Sequence, residues 1–313
     1  MSSKHVLISC PQMQNVFDVF KARFEELGVT YDLPDVVQQL SEEELIPIIG
    51  RYDGIVAGDD KLTARVLEHA TRLKIISKWG VGIDGIDRRA AADRSIQVTN
   101  TPGMFGDDVA DVAAGYLVML ARQLHRIHNS VSEGQWFKHE GVVLRGKTLG
   151  IPGYGSIGAA VAQRGRGFGM HRLAHDVNAD AIERARRDGV DCVDRHELFR
   201  ASDFLVLCLP VSPDTCRIVN RETLALMKPG SFLVNVARGG LVDEEALVEA
   251  LLTGRIAAAA LDVFDVEPLA IDHPLRAFPQ CVFGSHNGSN TTEGVLRTSE
   301  RAVENLFRGL GVV

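Results

Sequence analysis

The sequence lacks an excess of positive charge, paired cysteines, internal repeats and low-complexity linkers. Across its 313 residues, 34 Lys and Arg stand against 41 Asp and Glu, which gives a net charge of −7, and the arginines are scattered along the chain. Nucleic acid is therefore not expected as a partner. None of the five cysteines belongs to a Cys-x-x-Cys pair, so we expect reduced thiols and no metal site.

Long apolar runs are also missing. The N-terminal stretch MSSKHVLISC has too short an apolar run for a secretion signal, and VAAGYLVML is bounded by Asp111 and Arg122, far short of a membrane span. These absences predict a soluble, cytoplasmic protein with no membrane partner. A hydrophobic content of 45% with 24% charged residues suits two medium-sized domains with ordinary cores.

The sequence does contain an alternation of short apolar runs and amphipathic stretches, such as HVLIS, VFDVFKARFEELG, DGIVAG, LTARVLEHA and LKIIS. This alternation is typical of βα units on a parallel sheet. It breaks near VTNTPG, before a long helical pattern at 106–124, and a second series of six predicted strands begins at KTLGIPGYGSIG. We therefore predict an α/β fold of two doubly wound parallel-sheet domains, one Rossmann and one flavodoxin-like, with a cleft between them.

The predicted boundaries place residues 1–100 and 288–313 in a substrate-binding domain and residues 101–287 in a dinucleotide-binding domain. The C-terminal stretch TEGVLRTSERAVENLFRGL has apolar residues at helical spacing and must pack on another element. The first domain is the expected partner, because its sheet otherwise lacks a cover. Ser41 followed by Glu44 predicts a capping box that begins a helix.

The second series opens with GIPGYGSIG, in which Gly153, Gly155 and Gly158 form a Gly-x-Gly-x-x-Gly motif between a predicted strand and a predicted helix. Glycine serves there for a tight turn, for close approach of the backbone to a pyrophosphate, and for packing of the helix on the strand. The helix N-terminus, with Ser156 and Ile157, offers N–H groups to the phosphates. The motif therefore predicts a dinucleotide site.

The strand HRLAHD ends at Asp176, 18 residues after Gly158, where a carboxylate can accept hydrogen bonds from ribose hydroxyls. Val177 and Asn178 follow, so this stretch has no arginine to hold a 2′-phosphate. The combination predicts NAD, and not NADP, as the cofactor.

The stretch FGSHNGSN places His286 among small residues directly after an apolar run. Arg238 and Glu267 likewise follow predicted strands, and the carboxyl ends of such strands are where open α/β sheets bind ligands. Hydride transfer to a 2-oxo acid needs a cation for the carboxylate and a proton donor for the developing alkoxide. These side chains can supply both, whereas each one alone could equally be an ordinary turn or strand-end residue.

Together with the glycine loop, the stretches VNVARGGLVDEEAL, ALDVFDVEP and GSHNG resemble the D-isomer-specific 2-hydroxyacid dehydrogenase family over nearly the whole chain. The resemblance implies that Arg238 binds the substrate carboxylate and polarises its carbonyl, that His286 is the acid/base, and that Glu267 hydrogen-bonds His286. Asp262 would hold the nicotinamide carboxamide. The resemblance also implies contacts with NAD from Pro210, Thr215, Val236, Ala237 and Gly288.

The loop SKWGVGIDGID lies in the predicted substrate domain, and by the same resemblance the N–H groups of Val81 and Gly82 bind the substrate carboxylate. The amino-acid sequence of this loop is most similar to that of phosphoglycerate dehydrogenase-type members of the family. Lys78 is a usable cation for a phosphate, whereas Asp59 and Asp60 would repel one and Lys61 could compensate for that repulsion. A phosphoglycerate dehydrogenase-like activity is the leading expectation, with hydroxypyruvate, glyoxylate or phosphonopyruvate reduction as alternatives.

The resemblance further implies a homodimer, built by the helix at 106–124 and the stretch NSVSEGQWFKHE.

A different class of function remains open, because some relatives with this fold are NAD(H)-sensing corepressors that bind proteins. A formate dehydrogenase is disfavoured, since those relatives usually carry glutamine where Glu267 stands. The predicted function is an NAD-dependent enzyme that acts on a small 2-oxo or 2-hydroxy acid.

Overall fold

The computed structural model describes residues 3–313. Parallel strands form its two sheets, and their bounds are β1 (Lys4–Ile8), β2 (Val29–Asp32), β3 (Gly54–Ala57), β4 (Ile75–Lys78), β5 (Gln97–Thr99), β6 (Thr148–Pro152), β7 (His171–His175), β8 (Asp191–Cys192), β9 (Phe204–Leu207), β10 (Ser231–Asn235), β11 (Ile256–Leu261) and β12 (Val282–Phe283). No helix among residues 3–313 combines the length and the apolar character needed to cross a membrane.

Helices occupy the connections between the strands. The α-helices are α1 (Pro11–Gln14), α2 (Lys21–Glu26), α3 (Glu42–Leu45), α4 (Ala64–Leu67), α5 (Arg88–Asp93), α6 (Gly106–Arg122), α7 (Leu124–Ser132), α8 (Ser156–Gly167), α9 (Ala179–Arg187), α10 (Arg195–Ala201), α11 (Arg221–Leu226), α12 (Glu244–Leu252) and α13 (Thr292–Leu310). Short 3₁₀ helices cover Phe17–Val19, Ile49–Arg51, Gly239–Leu241 and Pro274–Ala277.

The chain forms two compact units, one of Met1–Met104 with Asn290–Val313 and one of Phe105–Ser289. We call them the five-stranded unit and the seven-stranded unit after their sheets. The five-stranded sheet has the order β2-β1-β3-β4-β5, which is the flavodoxin-like order. The seven-stranded sheet has the order β12-β11-β10-β9-β6-β7-β8, which contains the Rossmann order of six strands with β12 added at one edge. The predicted fold class is confirmed.

In the five-stranded unit, α13 covers the sheet over β3 and β4. The approach is close, because a Cβ added at Gly54 would lie 2.8 Å from Leu306 and one added at Gly309 would lie 2.6 Å from Ile75. The prediction that the C-terminal helix packs on this sheet is confirmed. One member of the predicted apolar face, Leu296, is 37% exposed, so it lies at the solvent edge of that face.

Local signals account for several helix ends. The Ser41 hydroxyl accepts a hydrogen bond from the Glu44 N–H while the Glu44 carboxylate accepts one from the Ser41 N–H, so the predicted capping box is confirmed. The long helix predicted at 106–124 ends at Arg122, because Gln123 takes a left-handed backbone with φ of +51°. Trp136 is 81% exposed and does not belong to a core.

The seven-stranded unit buries its core on both faces of the sheet. Strand β9 (FLVL) is completely buried, and the side chains of α10, α11 and α12 pack with β10 and β11 in one apolar cluster. Six strands were predicted for this series, and the structure adds β8 at the edge beside β7. That strand has two residues, which is too short for a hydrophobic pattern to reveal.

Candidate functional site

The seven-stranded unit contains a cavity of about 700 Å³ where its strand order reverses, between β6 and β9. Open α/β sheets bind ligands at this reversal, outside the carboxyl ends of the strands. The cavity brings together five of the predicted cofactor residues, which are Gly153, Gly155, Asp176, Pro210 and Thr215.

The three glycines of the loop have different surroundings. Gly153 has φ of +89°, and a Cβ there would lie 2.6 Å from the Cys208 carbonyl oxygen. A Cβ at Gly158 would overlap the carbonyl oxygen of Gly153, so helix α8 could not start so close to β6 with any other residue. Around Gly155 no atom lies within 4 Å of such a Cβ, which leaves room for a ligand against the backbone. Ser156 and Ile157 begin α8 at this point.

Asp176 is tied to the glycine loop. Its carboxylate accepts hydrogen bonds from the Tyr154 N–H at 2.7 Å and the Asn178 N–H at 2.9 Å. The Tyr154 ring is fully buried, and its hydroxyl donates to the Asp188 carboxylate at 3.0 Å. The guanidinium of Arg184 donates to the Tyr154 carbonyl oxygen. These bonds hold the loop and the carboxylate that would face a ribose in one arrangement.

Three arginines, Arg184, Arg187 and Arg195, line the same cavity. The residues directly after Asp176 include no arginine, as the sequence analysis states, but arginines from further along the chain reach the cavity in the folded protein. Helix α9 and the start of α10 bring these side chains back to the nucleotide loop. Asp180 and Asp214 line the cavity as well. Together with Asp176 they give three carboxylates, which equals the number of guanidinium groups.

The pair formed by His286 and Glu267 is the second polar centre of this unit. The His286 Nδ1 lies 2.8 Å from Glu267 Oε2, and the other oxygen of Glu267 accepts a hydrogen bond from the Phe264 N–H at 2.9 Å. An ionised carboxylate can only accept, so the Nδ1 atom carries the hydrogen of this bond. Both side chains are about four-fifths shielded from solvent.

The backbone of His286 is held in an unusual conformation. Its φ is +56°, which non-glycine residues rarely adopt, and its N–H donates to the Asp262 carbonyl oxygen at 2.7 Å. The Asp262 carboxylate accepts hydrogen bonds from the Asn287 N–H at 3.2 Å and the Gly288 N–H at 2.8 Å. Buried Asp262, which is 2% exposed, thereby fixes the turn that carries the histidine. Strained backbone held by such bonds is often found at functional sites.

Arg238 follows β10 in the same unit. Buried Asn235 accepts from the Ala237 N–H at 3.1 Å and donates to the Arg238 carbonyl oxygen at 2.8 Å. The Arg238 Nη1 donates to the Ala237 carbonyl oxygen at 2.8 Å. Val236 is buried directly before them. The chain therefore leaves the strand in a defined turn that fixes where the arginine begins.

The predicted substrate residues Lys78, Val81 and Gly82 lie in the five-stranded unit, at the end of β4. The Lys78 side chain is 8% exposed, and its ammonium lies 3.1 Å from Asp59 Oδ1 and 2.9 Å from the Trp79 carbonyl oxygen. Loop 79–82 is fastened by the Gly80 N–H, which donates to the Thr101 hydroxyl at 2.9 Å. The cation at this edge is therefore already compensated by a carboxylate.

Asp60 takes no part in that ion pair. It is buried, and its carboxylate accepts from the Ser9 hydroxyl at 2.6 Å, the Leu40 N–H at 2.8 Å and the Gly58 N–H at 2.9 Å. Burial raises the pKa of the Asp60 carboxyl above its ordinary value, against the opposing effect of these hydrogen bonds. Asp59 and Asp60 are neighbours in sequence with different functions in the fold.

Several contributors to these centres gave no signal in the sequence. Tyr116 donates to Asp262 at 3.2 Å from helix α6. Tyr154 acts through long-range contacts, and Asn235 through contacts within the turn that it begins. Only Asn235 could have been suspected, as a polar residue that ends a buried strand. Among the described residues 3–313, no group of three or more His, Cys, Asp or Glu side chains is placed to hold a metal ion.

Comparisons with known proteins identify the family of this chain. The family model described as "D-isomer specific 2-hydroxyacid dehydrogenase, NAD binding domain" matches residues 114–288. A hydroxypyruvate reductase of Thermotoga maritima is 40% identical over 92% of both chains. A D-3-phosphoglycerate dehydrogenase of Methanocaldococcus jannaschii is 38% identical over 92% of this chain, which spans 54% of that protein.

A solved structure gives the same result for the fold and the cofactor. The D-lactate dehydrogenase of Aquifex aeolicus, solved with NAD and lactic acid, superposes with a TM-score of 0.82 at 28% identity, covering 96% of this chain and 93% of that one. The fold, the nucleotide loop and these matches define an NAD-dependent oxidoreductase that acts on the CH–OH group of donors. The chain belongs to the D-isomer-specific 2-hydroxyacid dehydrogenase family.

Proposed function

We propose that this protein interconverts a short, unphosphorylated 2-oxo acid and the corresponding D-2-hydroxy acid, with His286 as the proton donor. The observation that carries the proposal is the 2.8 Å pair of His286 and Glu267, held by the Phe264 N–H and the buried Asp262 turn. A carboxylate beside an imidazole favours its protonated form, which is the form that carbonyl reduction needs.

NADH supplies the hydride when it is bound. The chain's own part is to pass a proton from His286 Nε2 to the carbonyl oxygen while Nδ1 remains on Glu267. The guanidinium of Arg238 binds the carboxylate of the substrate and stabilises the charge that develops on the carbonyl oxygen. For the five-stranded unit, the proposed substrate ligands are the N–H groups of Val81 and Gly82.

For the cofactor, we propose that Gly155, Ser156 and Ile157 present N–H groups to the pyrophosphate and that Asp176 accepts from the ribose. Pro210 and Thr215, which line the cavity, would contact the adenosine, with Gly153 and Gly158 shaping the loop. Val236, Ala237 and Gly288 would contact the nicotinamide end. Asp262 would add a carboxamide contact to the loop bonds it already accepts.

The choice of an unphosphorylated substrate is supported by the charge at the end of β4. A phosphate monoester adds about 1.5 to 2 negative charges near neutral pH. Lys78 is the buried cation at that edge, and the sequence suggested it as a phosphate ligand. The carboxylate of Asp59 already compensates its positive charge. A further dianion there would meet the negative charge of the Asp59 carboxylate, and the Lys78 ammonium is already paired with that carboxylate. Hydroxypyruvate and glyoxylate fit this edge better than 3-phosphohydroxypyruvate does.

The test is a substrate panel followed by NADH absorbance, using hydroxypyruvate, glyoxylate, phosphonopyruvate and 3-phosphohydroxypyruvate with wild type and Asp59→Asn. We expect the wild type to prefer the unphosphorylated acids, and Asp59→Asn to raise kcat/KM for 3-phosphohydroxypyruvate relative to hydroxypyruvate by about 10-fold. Asp18→Asn, which removes an exposed carboxylate paired with Lys21, is the matched control. A wild type that prefers the phosphorylated acid contradicts the substrate assignment.

The same panel separates an enzyme from the corepressor class. Tight NADH binding with negligible turnover on all four acids would favour an NAD(H)-sensing protein.

We also propose a homodimer, supported by the exposed apolar side chains of the segment 124–143, namely Leu124, Val131, Trp136, Phe137, Val142 and Val143. Sedimentation of wild type and Trp136→Glu tests this, and a wild-type monomer at micromolar concentration would refute it.

A further inference from the structure

A second glutamate–histidine pair lies beside the catalytic one in the seven-stranded unit. The loop after β11 presents two consecutive backbone N–H groups to two different glutamates. The Phe264 N–H donates to Glu267 at 2.9 Å, and the Asp265 N–H donates to Glu244 at 3.0 Å. Each glutamate uses its other oxygen for an imidazole, Glu267 for His286 at 2.8 Å and Glu244 for His273 at 3.0 Å.

The two pairs are shielded to a similar degree. The Glu244 and His273 side chains are 16% and 23% exposed, against 20% and 23% for Glu267 and His286. Shielded polar contacts of this kind are costly to break, because their partners are left without water. The second pair is therefore a firm link from helix α12 and the 3₁₀ helix at 274–277 to the loop that carries Glu267.

The tautomer of His273 distinguishes the two pairs. The Leu275 N–H points at His273 Nδ1, at 3.3 Å, so this nitrogen accepts and carries no hydrogen. The ring hydrogen then lies on Nε2 and is donated to Glu244. A neutral imidazole satisfies both bonds, so this pair has no proton to give to a substrate and acts as a fixed link.

Helix capping does not account for Glu244. An acidic residue at the start of a helix is stabilising by itself. Here, however, Asp243 already caps α12 by accepting from the Ala246 N–H. The Glu244 carboxylate is directed to Asp265 and His273, both outside its own helix.

The loop held by Glu244 also touches the chain that follows Arg238. A Cβ at Gly239 would overlap the backbone of Phe264 and Asp265, so the two segments are in direct contact at that glycine. A shift of the loop would therefore move Glu267 relative to His286 and would disturb the turn after Arg238. Misplacement of catalytic groups by about 1 Å can cost about 100-fold in rate.

We propose that Glu244 and His273 are positioning residues that hold the loop 264–267, so that Glu267 stays on His286. The proposal rests on the proposed function, because it assumes that His286 donates the proton. It adds two residues that touch neither substrate nor cofactor and act only through the loop.

The experiment compares His273→Leu with His273→Gln, using glyoxylate and NADH. The glutamine amide nitrogen can occupy the place of Nε2 and still donate to Glu244, whereas leucine cannot. We expect His273→Leu to lower kcat by about 10- to 100-fold and to move the basic limb of the kcat–pH profile downward, with the KM for NADH within about twofold of wild type. His273→Gln should remain within about threefold of wild type in kcat, with an unmoved limb.

Glu244→Ala should reproduce His273→Leu, and the double variant should lose no more than either single one, because one link is broken in each. If His273→Leu does not fold, Glu244→Gln, which keeps an acceptor for Asp265, provides the same readout. A wild-type kcat and pH limb in His273→Leu, or equal losses in the leucine and glutamine variants, overturns the proposal. Two further variants separate this link from the proposed function. Wild-type turnover in His286→Ala refutes the proposed function, whereas a moved limb in Glu267→Gln with an unmoved limb in His273→Leu refutes only the link.

Discussion

The carboxyl edges of the two sheets are built differently. In the seven-stranded unit, the polar side chains at this edge are held by buried donors, as Glu267 is by the Phe264 N–H and Asp262 by the Gly288 N–H. In the five-stranded unit, the buried Lys78 ammonium is compensated by Asp59, and the Gly80 N–H of the following loop donates to the Thr101 hydroxyl. In the proposed function, the first edge serves proton transfer, and the second binds a small anion.

Substitutions at the two edges should therefore affect different kinetic constants. A group that acts only in the transition state changes kcat, and a group that binds ground state and transition state equally changes KM. The following changes test that difference.

The largest effect is expected for His286→Ala, which removes the proposed proton donor. Turnover of hydroxypyruvate should fall about 100- to 10,000-fold, with NADH binding unchanged in a fluorescence titration. The control is His171→Ala at the exposed start of β7, which should be neutral. A variant that keeps more than a tenth of wild-type turnover would remove His286 from the mechanism.

The next effect is expected for Glu267→Gln. The amide lacks the charge that favours the protonated imidazole, so the basic limb of the pH profile for reduction should move to lower pH. We also expect kcat to fall by about 10- to 100-fold near neutral pH. The measurement is kcat between pH 6 and 10. An unmoved limb would mean that Glu267 does not support His286 electrostatically.

A smaller effect, on binding, is expected for Asp176→Ala. Loss of the ribose acceptor should raise the KM for NADH by about 10-fold and narrow the preference over NADPH, because Arg184, Arg187 and Arg195 line the same cavity. Asp176→Asn, which keeps one acceptor for the Tyr154 N–H, is the matched variant. An unchanged cofactor preference would argue against the ribose contact.

The smallest effect concerns stability, at Asp60 in the five-stranded unit. Burial raises the pKa of this carboxyl in the folded protein, so its contribution to stability is fully present below the unfolded pKa and is lost as pH rises through the folded pKa. Relative to Asp60→Asn, the wild type should therefore lose stability as the pH rises from acid to neutral. Urea unfolding at several pH values measures this. Parallel pH curves for the two proteins would show that the carboxyl is not perturbed.

Much of the fold could be predicted because its signals are local. The alternation of apolar runs and helices marks βα units, and a capping box or a glycine motif is complete within a few residues. What could not be predicted depends on contacts far apart in the chain. The two-residue strand β8 has no period of its own, and the arginines of α9 and α10 reach the nucleotide cavity only through the return of the chain.

The candidate site divides in the same way. Arg238, Glu267 and His286 could be chosen from the sequence, because each follows a strand and carries a side chain suited to the chemistry. The pairing of Glu267 with His286, 19 positions apart, and of Asp265 with Glu244, 21 apart, needed the folded loops. The sequence alone cannot say whether a carboxylate pairs with a cation or is buried.

Residue type and short-range spacing were enough to predict the fold class and the nucleotide loop, and they nominated Arg238, Glu267 and His286 for the proposed chemistry. The tertiary structure alone decided which of the adjacent Asp59 and Asp60 meets Lys78 and which turns inward to Ser9. The physical reason is that charge compensation and burial depend on distances of a few ångströms between segments that are remote in sequence.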